Sequence, residues 1–75
     1  MKDFERLMLA IYDATVESST PFVSWRAMKD ELRLDQEAMK ALSFTLKQRG
    51  FLAEDVPGNN LALSATGIDY VQRHF

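Results

Sequence analysis

The sequence predicts a mainly helical α+β fold, and three observations carry that prediction. Apolar residues recur at three- and four-residue steps in four separate stretches, as they do along helices with one buried face. Between the third and fourth stretches the period changes to two, across Phe51-Leu52-Ala53-Glu54 and Leu61-Ala62-Leu63, the pattern of a short hairpin. The length of 75 residues leaves room for one domain, and 47% hydrophobic with 27% charged residues is an ordinary globular composition. With no Cys, such a domain is held by packing alone.

Helix 1 is expected over about residues 3–16, with Phe4, Leu7, Met8, Ile11, Tyr12 and Val16 forming one wide stripe. Glu17-Ser18-Ser19-Thr20-Pro21 should end it, because short hydroxyl side chains compete for backbone bonds and Pro disfavours a helical residue before it. Phe22 and Val23 then read as a short extended segment. Ser24 is placed to cap helix 2, about 25–32, whose buried stripe is Trp25, Met28 and Leu32. Trp25, in its first turn, is expected to lock helix 2 onto helix 1. Asp35 repeats the capping grammar and opens helix 3, about 36–49, after a turn of roughly three residues. Ala38, Met39, Leu42 and Leu46 form its inner face, and Gly50 stands where a left-handed residue ends a helix.

The hairpin spans about 51–63, with Asp55-Val56-Pro57-Gly58-Asn59-Asn60 as a loose turn. Ser64 caps helix 4, about 65–74, whose stripe is Ile68 and Val71 with Tyr70 and Phe75 beside it. Gly67 lies in its first turn, where a missing side chain allows another backbone to come close.

The order helix, short strand, helix, tight turn, helix, hairpin, helix is that of a winged helix-turn-helix domain. Leu46-Lys47-Gln48-Arg49-Gly50-Phe51-Leu52 resembles the end of a recognition helix running through Gly into the first wing strand of small bacterial regulators. Leu63-Ser64-Ala65-Thr66-Gly67-Ile68-Asp69-Tyr70-Val71 is similar to the segment closing the wing in the MarR-like and PadR-like groups, with Ser64 where Thr is usual. The resemblance covers nearly the whole chain and implies a DNA-binding transcriptional regulator; the absence of Cys makes a cytoplasmic origin the default expectation. Winged helices also serve as protein-docking modules, so the fold by itself leaves both roles open.

Net charge is −2, which argues against binding nucleic acid by bulk charge. The charge is unevenly spread. Residues 21–50 carry Arg26, Lys29, Arg33, Lys40, Lys47 and Arg49 against Asp30, Glu31, Asp35 and Glu37, a net of +2, while both ends are acidic. The outer face of helix 3 holds Glu37, Lys40, Phe44, Lys47 and Gln48, with Ser43 at its edge. In a DNA-bound domain of this kind Lys40, Ser43, Lys47 and Gln48 would read the major groove, and Arg26 and Lys29 would hold phosphates. The plainer alternative for this face is a solvated helix surface with a Glu37–Lys40 pair. Acidic Glu54 and Asp55 make the wing unsuited to a minor groove, which takes Arg or Lys.

Phe44 is expected to pack against the hairpin or the last helix; left exposed, it would be a protein-binding anchor. Leu9, off the main stripe of helix 1, and Phe75 at the chain end are candidates for a homodimer contact, leaving monomer or weak homodimer open. The competing function is thus a protein-interaction module, an accessory factor of phage, plasmid or larger-complex origin, presenting Phe44 and the acidic wing, with Leu9 and Phe75 as further contacts; a third is a fragment or subunit that gains DNA affinity on oligomerisation. No catalysis, cofactor or metal is expected. His74 is the only His, no Cys can join it, and three Gly form no phosphate-cradling loop. No apolar run reaches the ~18 residues of a spanning helix, so neither signal peptide nor membrane anchor is expected.

Overall fold

The computed structural model describes residues 2–75, which fold as four helices and two short strands. α1 (Asp3–Ser18) begins where the Lys2 backbone N–H donates to Glu5 Oε1 at 2.9 Å. It runs two residues past the expected end, with the Thr15 and Ser18 hydroxyls turned back to the carbonyls of Ile11 and Ala14 instead of competing for the helix bonds, and Ser19 stops it in a left-handed conformation (φ 57°). β1 (Val23–Ser24) leads directly into α2 (Trp25–Glu31), and the Ser24 hydroxyl accepts the Ala27 N–H at 3.3 Å. After Leu32, Arg33 takes a left-handed conformation (φ 56°) that turns the chain towards α3 (Gln36–Gln48). Asp35 caps α3 by accepting the Ala38 N–H at 2.7 Å. Gly50, at φ 74°, ends the helical path as its position predicts.

The expected hairpin is reduced to one bridge. Leu52 faces Leu63, closed by Ala53 N–H to the Ala62 carbonyl and Ser64 N–H to the Phe51 carbonyl, each at 2.8 Å. The returning segment spends its other edge on the extended residues after α1: β2 (Asn60–Leu61) pairs antiparallel with β1, Val23 opposite Leu61 and Ser24 opposite Asn60. The strand after the turn is therefore shared between two partners. α4 (Ala65–His74) follows at the expected position, with the Ser64 hydroxyl accepting from Gly67 N–H at 3.1 Å and donating to the Gly50 carbonyl.

The core draws Phe4, Leu7, Met8 and Ile11 from α1, Met28 from α2, Met39 and Leu46 from α3, and Val71 from α4, with Phe51 and Leu61 from the extended segments. Three expected core positions are corrected. Val16 is 65% exposed because α1, at about 1.5 Å per residue, outruns the elements that cover its first three turns. Ile68 and Phe75 are also exposed; Gly67 and Val71 take the inner face of α4 instead. Trp25 does lie against the core, but its Nε1–H donates to Ser43 Oγ at 3.2 Å, tying α2 to α3 rather than to α1.

Tyr70 joins the two ends of the chain. Its ring packs 4.9 Å from Phe51 and stacks 4.2 Å from the His74 ring, while its hydroxyl donates to Glu5 Oε2 at 2.7 Å. The Lys2 N–H and the Tyr70 hydroxyl, both donating to the carboxylate, hold Glu5 below the usual carboxylate range, and the same bond raises Tyr70 above the ordinary phenol value. The sign follows for both groups. The Glu5 contribution is present above pH 4.5 and lost as pH falls through its lowered pKa; the Tyr70 contribution is present below pH 10 and lost as pH rises through its raised one. Tyr70→Phe should therefore lower the denaturation midpoint at neutral pH, and the gap from the parent should close below pH 4.5. A gap that stays constant from neutral to acid pH would show that the stabilisation does not depend on the charge of Glu5.

Candidate functional site

α3 turns Met39 and Leu46 inward, and at 100° per residue this sends Lys40, Phe44, Lys47 and Gln48 outward together. All four are exposed. Phe44 is 62% exposed, which corrects the expectation that it packs under the hairpin. The hairpin is too short to reach across it: the one bridge and β2 place Leu52 and Leu61 beside the base of Phe44, where with Ala53, Glu54 and Lys47 they line a shallow groove.

The basic side chains of the central third separate into two groups. Lys29 is withdrawn, its ammonium 3.7 Å from Asp30 and its side chain only 27% exposed. Arg49, though exposed, is engaged as well, its guanidinium lying over the Phe4 ring at 4.6 Å from the centroid. Arg26, Arg33, Lys40 and Lys47 are exposed, and among the described residues none has a carboxylate oxygen within 4.0 Å. The Glu37–Lys40 pair that would neutralise the centre of this face does not form, whereas the Asp69–Arg73 pair on α4 does, at 3.0 Å. Lys40 and Lys47 stand seven residues apart, two turns along one face.

Ser43 differs from the exposed α3 residues. It is half-buried and its oxygen accepts the indole N–H of Trp25, so it fixes the angle between α2 and α3. A second cleft opens beside it, lined by Trp25, Gln36, Lys40, Ser43 and Asn59. Sequence reading passed over Gln36 and Asn59 here. The signal for Gln36 is its place four residues before Lys40 on the same face, but Asn59 arrives through the Trp25 N–H bond to its carbonyl (3.1 Å), which no local pattern encodes.

The two candidates for a homodimer contact lie apart from this face. Leu9 is half-buried in a groove between α1 and α2 that Arg6, Asp13, Glu17 and Glu31 rim, and Phe75 is half-exposed at the end of α4. His74 stacks on Tyr70, and among the described residues no group of three His, Asp or Glu side chains could hold a metal ion. Among the same residues no helix is long and apolar enough to cross a membrane. No family model, curated protein or solved structure matches the chain.

Proposed function

We propose that the chain is a winged helix-turn-helix domain that binds duplex DNA, with α3 as the helix entering the major groove and transcriptional regulation as its role. The observation that carries this reading is the outer face of α3, where Lys40 and Lys47 are exposed, two turns apart and without carboxylate partners, next to Gln48. A 13-residue helix of this kind is about 20 Å long and fits a groove about 12 Å wide. Lys40 and Lys47 reach phosphate or guanine, Gln48 reaches adenine, and Arg26 holds a phosphate from α2. Ser43 serves as a support through Trp25, and Lys29 is held by Asp30. Glu54 and Asp55 keep the loop away from the backbone.

Fluorescence anisotropy of a labelled random-sequence duplex at about 50 and about 200 mM salt tests the reading, because affinity that depends on phosphate contacts falls steeply with salt. Lys40→Ala combined with Lys47→Ala should weaken binding at least tenfold at low salt and reduce the slope of log affinity against log salt by about 2. Both positions are exposed, so the circular dichroism spectrum should be unchanged. A variant that keeps the parent's slope would rule α3 out as the contact helix.

The exposure of Phe44 favours a second reading, a protein-docking module whose anchor is that ring and whose groove wall is Leu52, Ala53 and Leu61. No binding to DNA at low salt, even near 100 μM protein where non-specific complexes form, would leave this reading in place of the first.

A further inference from the structure

Phe44 has no work to do in the fold. It belongs neither to the core cluster nor to the half-buried residues packed against it, and Met39, Leu42 and Leu46 already supply the inner face of α3. A bare phenyl ring nonetheless stands at the middle of the outer face, with Lys40 one turn before it and Lys47 and Gln48 within one turn after. A partner that places its charges at Lys40 and Lys47 therefore brings the surface between those charges against Phe44.

The floor of the major groove consists of hydrogen-bond donors and acceptors with one apolar group among them, the 5-methyl of thymine. A phenyl ring set against any other base edge strips water from a donor or acceptor and returns no bond. Set against thymine, it buries a methyl group that has no other use for water. From the position of this ring among the free lysines we infer that Phe44 is a specificity-determining residue of the interface, selecting thymine through its 5-methyl group; this rests on the DNA reading of α3. Selection acts in both directions, by apolar contact with thymine and by the unmatched desolvation of guanine and cytosine edges. The half-buried Leu52 and the buried Leu61 lie at the base of the ring, so its inner edge borders apolar side chains.

Polymers that differ by the methyl group alone give the test. Binding to alternating poly(dA-dT) duplex is compared with alternating poly(dA-dU), and alternating poly(dG-dC) with its 5-methylcytosine form, each for the parent and for Phe44→Ala. The parent should bind the dU duplex about four-fold more weakly than the dT duplex, the worth of burying one methyl-sized group, and methylation of cytosine should strengthen binding by a similar factor. Phe44→Ala should lose both differences while keeping its salt slope, because Lys40 and Lys47 remain. Its thermal midpoint should match the parent's, since the ring is exposed. Equal affinity of the parent for dT and dU duplexes, or a preference that survives Phe44→Ala, would overturn the inference and leave DNA binding by α3 standing. Absence of salt-dependent binding to all four polymers would remove the DNA reading and the inference together.

Discussion

Gly67→Ala is expected to destabilise the domain by about 3 kcal/mol and to lower its thermal midpoint by roughly 15 °C. A Cβ at this position would sit 2.3 Å from the Phe51 carbonyl oxygen, and both the helix and that carbonyl are backbone, so no side chain can swing away. Moving them apart breaks the Ser64 N–H bond to the same carbonyl and disturbs the cap in which Ser64 accepts from Gly67. Gly50→Ala is the control. Gly50 has nothing within 4 Å of its would-be Cβ, so its replacement costs only the left-handed conformation at φ 74°, about 1–2 kcal/mol. Thermal melts of the two variants side by side separate close approach from backbone conformation. A larger loss at Gly50 would show that α4 and the segment after α3 are free to separate.

Leu46→Ala should have an effect of the same order or greater, about 2–5 kcal/mol, because Leu46 is fully buried at the centre of the core. For 75 residues the total stability is roughly 4–11 kcal/mol at 0.05–0.15 kcal/mol per residue, so this one change takes a large share of it. Urea unfolding should show a lower midpoint with an unchanged slope. Leu42→Ala, on the half-buried edge of the same helix, should cost less. Leu46 and Lys47 are neighbours about 100° apart on α3, one buried and one exposed, which makes the pair diagnostic: under the proposed DNA reading, loss of affinity on Leu46→Ala should track unfolding, and loss on Lys47→Ala should occur in a folded domain. A Leu46→Ala variant as stable as the parent would mean that the core repacks around the cavity.

The caps were legible because each is a contract between residues three apart. Ser24, Asp35 and Ser64 accept the N–H groups of Ala27, Ala38 and Gly67, as their spacing predicts. Gly50 and Gly67 were legible for a related reason, since a residue without Cβ at a helix end or in a first turn marks where the backbone bends or is approached. The inner stripes of α1 and α3 followed from the helical period through Phe4, Leu7, Met8, Ile11, Met39 and Leu46. Of the site, the shared face of Lys40, Phe44, Lys47 and Gln48 could be read from the same period. What could not be read was the state of its members: which lysine is paired, whether Phe44 is covered, and that Ser43 is already engaged.

The sequence by itself therefore determined the four helices, their starts, the stop at Gly50 and the separation of an apolar from a basic face on α3, all of which depend on interactions within about four residues. Tertiary structure alone decided the rest. It paired β2 with β1 and left a single bridge for the hairpin, turned the Trp25 indole to Ser43 eighteen residues away, and closed Tyr70 on Glu5 across 65 residues. It also left Val16 and Phe44 in the open, because a helical period tells which way a side chain points and carries no information about whether another element lies there to cover it.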